Sequence, residues 1–310
     1  KSISLCLEID FEFEENKISI HKLTNEIKLK MKRCIDLWKY LALYKNHNIS
    51  QFNLSQYYIQ EVYIKKDVNK SLSYLLLSSL NGYNKAQYVL ASKFYYGDNI
   101  KINEYHYRKW LRIAALNNNS DAQYDCFKIS KNENERIKWL KMACKTNNSD
   151  GKLDLGMIFV KNGNKSEGIN LILSSAEQGN TNAMFWIGNA YTTGDYGMLK
   201  SKKKGILYFE MAAKLNHSMA IYNLGIAYSK GEGTEINEKL ALSLFLKSAN
   251  LDNGYAQFAL FITYNTGNLG VSKNNKIAFY WLKKATDNNN EKAIEVWNEQ
   301  LKKINLSKVR

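Results

Sequence analysis

Proline does not occur once in the 310 residues of this chain. Its absence removes the usual helix breaker. Together with abundant Lys, Asn and Ile, we read it first as a codon bias toward A and T and second as a modest sign of helix. Cysteine is scarce. Cys6, Cys34, Cys126 and Cys144 lie in no Cys-x-x-Cys or Cys/His ligand spacing, which argues against zinc. His21, His47, His106 and His217 are far apart and fit no metal-ligand pattern. No run of about eighteen apolar residues is present, so nothing spans a bilayer as a helix. No signal peptide is visible. The chain starts at Lys1 rather than Met, from which we expect that an upstream stretch was removed.

Catalytic signatures are missing too. There is no Gly-x-Ser-x-Gly elbow and no phosphate loop. Ser-x-x-Lys occurs at Ser19–Lys22, Ser149–Lys152 and Ser201–Lys204, as expected by chance in a chain rich in both residues and without companion motifs. We therefore expect no enzymatic activity and no cofactor. Acidic residues are in deficit: 44 Lys and Arg stand against 29 Asp and Glu, a net charge of +15. Such a balance fits an acidic protein partner, an anionic surface, nucleic acid or simply a Lys-rich proteome. The densest basic run is Lys200-Ser201-Lys202-Lys203-Lys204. It sits in a turn and at a helix start, where it is either a solvated loop or a contact for an acidic partner or phosphate. No aromatic is interleaved with it, which speaks against nucleic acid.

What is present is repetition. The phrase Ala220–Gly233, AIYNLGIAYSKGEG, returns in varied form with first helices starting near Ser50, Ala86, Ala122, Gly151, Ala183, Ala220 and Ala256. The third position is mostly aromatic: Phe52, Tyr88, Tyr124, Leu153, Phe185, Tyr222, Phe258. Small residues mark the second helices: Ser78-Ser79, Ala114-Ala115, Ala143-Cys144, Ser175-Ala176, Ala212-Ala213, Ser248-Ala249 and Ala285. They let helices approach closely while Leu and aromatic knobs fill the gaps. Gly194, Gly231 and Gly267 are placed to end first helices. Asp67, Asn103, Ser201, Asn237 and Asn274 are placed to cap second ones. The turn is shortest in the third and fourth copies, so an irregularity is expected near residues 125–165. Cys126 and Cys144 fall on the two helices of one copy and read as buried thiols rather than a bridge.

The flanks differ. Residues 3–13 alternate apolar and polar with a period of two, which predicts a strand, with Ile18 and Ile20 as a return strand. This acidic segment packs on the first helices as a cap or offers an edge to another chain. Residues 22–46 show helical spacing and predict a capping helix. We expect a cap over 1–48, about seven repeats over 49–290 and a C-terminal capping helix over 291–310.

These motifs resemble the Sel-one-like repeat family, relatives of the tetratricopeptide repeats, over roughly residues 49–290. The pattern is nearly complete in Ala220–Ala249 and Ala256–Ala285 and degenerate over 50–181. Thr234 and Met198 depart from it after the glycines. The resemblance implies an all-α, right-handed superhelical solenoid of antiparallel helix pairs that works by protein–protein contact. It implies a bacterial adaptor or a toxin-neutralising immunity protein, periplasmic or exported rather than cytoplasmic, monomeric outside its complex. Its partner would be a protein, acidic or a toxin or effector. A cysteine-rich branch linked to β-lactams supplies the alternative, a β-lactam-binding hydrolase-like enzyme, but it carries a disulfide in every repeat and this chain does not.

Helical geometry turns positions three, seven and ten of each first helix to the side opposite the stack. In related solenoids that side is concave. The expected partner-binding residues are Tyr88, Tyr124, Lys128, Met157, Phe185, Asn189, Tyr222, Ile226, Phe258 and Ile262, aromatic and aliphatic groups of the kind that dominate interface energetics. The plainer alternative has the third position packing between neighbouring repeats.

Overall fold

A computed structural model of the chain describes residues 25–60 and 64–308, with side chains over 29–60 and 64–301. The strand cap expected over residues 3–13 and 18–20 lies outside the described residues. Those described form α-helices, one short 3-10 turn and no strand. Helix α1 (Asn25–Tyr44) comes first. Seven pairs follow: α2 (Asn48–Gln60) with α3 (Val68–Leu80), α4 (Asn84–Tyr96) with α5 (Glu104–Leu116), α6 (Ser120–Ile129) with α7 (Glu133–Lys145), α8 (Ser149–Lys161) with α9 (Lys165–Glu177), α10 (Thr181–Thr193) with α11 (Lys202–Lys214), α12 (Ser218–Lys230) with α13 (Glu238–Asn250), and α14 (Gly254–Thr266) with α15 (Asn275–Asp287). Helix α16 (Glu291–Lys308) is the last element among the described residues. Two compact units result, residues 1–151 and 152–310.

Short links make each pair a helical hairpin, and their chemistry sets the boundaries. Gly97, Gly194, Gly231 and Gly267 close first helices at φ between 69° and 83°, a region that costs glycine nothing. Each amide donates to the carbonyl four residues back. The second helices start where an oxygen caps the third amide: Asp67, Asn103, Ser201, Asn237 and Asn274 all accept such bonds, at 2.9 to 3.3 Å. The turns after α6 and α8 are short, as the sequence indicates, and Asn132 caps α7 directly.

In unit 1 the stripe Met31, Cys34, Ile35, Trp38 and Ala42 of α1 buries against Leu54 and Tyr57 of α2. Leu75, Ala86 and Leu90 form the next cluster. In unit 2 a cluster runs from Leu153 through Ile172, Ile187, Phe209 and Ala220 to Leu224, and two further ones join α13 to α16. The small residues of the second helices are buried, apart from the partly exposed Cys144. Cys126 and Cys144 are not joined by a disulfide. No helix among the described residues is long and apolar enough to cross a membrane.

Candidate functional site

In unit 2, Tyr222 and Ile226 of α12 and Phe258 and Ile262 of α14 line one cavity of about 950 Å³. Its floor is apolar: Phe245 of α13 and Ala259 join those four. Its rim is polar, with Lys230, Glu238, Asn268 and the Asn288–Lys292 stretch. The third-position aromatics are fixed by their neighbours. Tyr222 lies 5.8 Å from Phe245 and 6.0 Å from Tyr255, ring centre to ring centre. Phe258 packs 5.6 Å from Phe261. Burial, with Tyr255 beside it, holds the Tyr222 hydroxyl above its ordinary pKa. Seventh-position Ile262 remains 42% exposed, whereas Ile226 packs against the Phe245–Leu260 cluster. Half-buried aromatic rings thus stand around an apolar floor, with asparagine amides at the rim.

The remaining expected residues fall elsewhere. Met157 on α8 is 44% exposed. Tyr88, Tyr124 and Lys128 meet in unit 1 around Asp125. Phe185 is half-buried between Phe209 and the imidazole of His217, whose ring centre lies 4.9 Å away. Asn189 accepts from Asn223 at 3.2 Å. The third position thus reaches into the following pair in several copies, which limits its exposed edge.

His217 stands where Asn119, Asn180, Asn253 and Asn290 cap other helices. Its Nδ1 accepts from the Ala220 amide at 3.1 Å, and Nε2 lies 3.1 Å from Asn182 Oδ1. Those bonds require the neutral ring with the proton on Nε2. Burial lowers the His217 pKa below 6.5. The unfolded chain then binds the proton more readily. The stability from this cap is complete above pH about 6.5 and is lost as pH falls below that value toward the folded-state pKa. His217→Asn keeps the cap without the titration. Thermal unfolding at pH 7.5 and 5.5 should show the wild type losing more midpoint temperature than the variant; equal losses would contradict this assignment.

One recurring feature escapes a hydrophobic count. The second position of four first helices is a buried glutamine: Gln51, Gln87, Gln123 and Gln257. Each Nε2 donates to a carbonyl of the preceding helix, at 2.9 to 3.2 Å. Each Oε1 accepts from the residue ending its own pair: Asn81, Asn117, Thr146 or Asn288. Three consecutive helices are clasped by one side chain. The sequence signal lies in pairs of positions. Where the slot is apolar, at Met184 and Ile221, the partner position is apolar as well, at Leu215 and Leu251.

Cys126 borders a cavity of about 230 Å³ with Arg108, Arg112 and Glu135. Burial pushes its thiol up to about 12, so it stays protonated and unreactive at neutral pH. No group of three or more His, Cys, Asp or Glu that could hold a metal is found among the described residues.

Comparison with known proteins follows the helix pairs. The Sel1 repeat model matches residues 48–83, 84–119, 181–217, 218–253 and 254–290. The degenerate stretch is therefore narrower than 50–181: the first two pairs match as well, and residues 120–180, with the short turns, do not. The chitin synthase regulator SKT5 of Saccharomyces cerevisiae is 24% identical over 238 residues, 74% of this chain and 31% of that protein. The chain spans a third or less of the length of the curated relatives it matches. Among solved structures, a Sel1 repeat protein from Oxalobacter formigenes superposes with a TM-score of 0.66 at 20% identity, over 94% of this chain and 86% of that one. A protective antigen of uropathogenic Escherichia coli with an SLR fold gives 0.67 at 19% identity, over 94% and 62%. These two likenesses concern the fold.

Proposed function

The chain belongs to the Sel1 repeat family, and from that premise we propose that it is a protein-binding scaffold whose receptor surface is the unit 2 cavity. The observation that carries the reading is the convergence of Tyr222, Ile226, Phe258 and Ile262 on one open, polar-rimmed cavity of about 950 Å³. Pockets lined by aromatic and aliphatic groups, with a few polar groups placed around them, are the usual form of binding sites. The partner is a protein that the scaffold recruits or inhibits, which is the work of an adaptor or of a toxin-neutralising immunity protein. The name of the yeast relative, a regulator of a synthase, supports action through another protein. On this reading Met157, at 44% exposure, is a second contact on the same side of its own helix.

Ile262→Glu is the test, because Ile262 reaches solvent while Ile226 is partly built into the core. A carboxylate on the cavity floor should lower affinity for a partner captured by the wild type at least tenfold, as expected for a lost hot spot, with little change in unfolding temperature. Titration of that partner against both proteins is the measurement. Unchanged affinity would remove the cavity from the interface. Ile226→Glu should lose stability as well as binding.

A further inference from the structure

The cluster around Asp125 in unit 1 does not depend on the unit 2 cavity. Asp125 lies on α6, and its Oδ2 accepts from the Tyr88 hydroxyl of α4 at 2.8 Å. Its other oxygen takes Lys128 Nζ at 2.9 Å. That same ammonium sits 4.3 Å from the centre of the Tyr124 ring. Tyr107 of α5 closes another side: burial first, then the Asp125 charge, pushes its hydroxyl up to about 12. Its ring lies 4.8 Å from that of Tyr95.

A carboxylate anchored by a tyrosine hydroxyl, with a second tyrosine ring beside the cation it pairs, is the chemistry that holds a primary ammonium ion. Here the ammonium is the chain's own. The two members differ in how firmly they are seated. The Asp125 side chain is 25% exposed and is fixed by a neighbouring helix, whereas Lys128 is 52% exposed. An ion pair of this kind, three residues apart on a helix surface, is weak, and so is an exposed cation–π contact. The lysine can therefore swing into water at small cost, leaving the carboxylate and ring in place.

We propose that Asp125, Tyr88 and Tyr124 form a recognition site for a lysine side chain of a partner protein, occupied in the free chain by Lys128. The resident lysine acts as a competitive plug. It keeps the carboxylate paired until a partner lysine, held by other contacts, displaces it. All the residues involved lie in unit 1, so this site and the unit 2 cavity stand or fall separately.

The probe is n-butylammonium, which carries the end of a lysine side chain. It is titrated at constant ionic strength, with n-butanol as the uncharged control, and tyrosine ring resonances are followed by NMR. Lys128→Ala should bind butylammonium about tenfold more tightly than the wild type, the factor that the two weak contacts of the resident lysine together represent. Adding Asp125→Asn should reduce binding to the butanol level. Should that double variant not fold, Lys128→Ala with Tyr124→Leu carries the same test, with a severalfold loss expected. Equal affinity in wild type and Lys128→Ala overturns the proposal. So does butanol binding as well as butylammonium, or binding that survives both Asp125→Asn and Tyr124→Leu.

Discussion

Replacing Gly168 by alanine should lower the unfolding free energy by about 2–3 kcal/mol, although alanine is the better helix former by about 0.5–1 kcal/mol. Gly168 of α9 faces Gly156 of α8, and the two helices touch backbone to backbone there. A Cβ on Gly168 would lie 2.6 Å from the Gly156 carbonyl oxygen, 2.7 Å from Val160 Cγ2 and 2.9 Å from the Val160 amide. A Cβ on Gly156 would meet the Gly168 carbonyl at 2.7 Å. Backbone atoms cannot step aside without moving a helix, and close-packed interiors resist that. Gly225 offers the internal contrast. A Cβ there would meet the Phe245 ring at 2.6 Å; that ring is buried too, but one side chain can shift where a backbone cannot. Gly225→Ala should therefore cost about 1 kcal/mol less than Gly168→Ala. Urea unfolding of the two variants beside the wild type gives the order. A Gly168→Ala protein as stable as the wild type would mean that α8 and α9 cross at a larger distance than described.

The repeat grammar was legible because each part of it is local. Small pairs, glycine stops and capping oxygens act within one turn of helix, and all three sit in the structure where the sequence puts them. Asparagine was less legible. Its abundance reads as codon bias, yet Asn117-Asn118-Asn119 divides three tasks. Asn117 donates to Gln87, Asn118 takes φ 63°, and Asn119 caps α6. Asn288-Asn289-Asn290 repeats the division, with Gln257, φ 56° and α16. Asparagine serves because it tolerates the left-handed region and caps well. The candidate site was half legible. Helical geometry names the side of each helix, but only the fold shows that Tyr222, Ile226, Phe258 and Ile262 share a cavity. It alone shows that Tyr88 and Phe185 reach neighbouring pairs. An aromatic side chain is long enough to cross that gap, and no spacing rule within one helix reports it.

The glutamine clasps give the second large effect, and it is a coupled one. Asn117→Leu should cost about 2 kcal/mol, because it takes the Asn117 Nδ2 donor, now at 2.9 Å, away from the buried Gln87 Oε1. Gln87→Ile alone should cost somewhat less. The Ser79 carbonyl it abandons keeps the Gly82 amide at 3.2 Å, and Asn117 can turn to water. Made together, the two changes copy the Ile221 and Leu251 arrangement already present in unit 2. The double variant should then recover about 1–2 kcal/mol relative to the sum of the singles. The physical reason is that an unmade buried hydrogen bond costs more than the pair contributes, so removing both partners costs less than removing one. Denaturant midpoints for the four proteins close the cycle. Strict additivity would show that the clasp does not act as a unit, and that the shared polarity of the two positions has another origin. Coupling of the expected size would make each glutamine the tie that holds a repeat to the helix before it and to the end of its own pair. It would also mark Met184 and Ile221 as the two places where packing has replaced that tie.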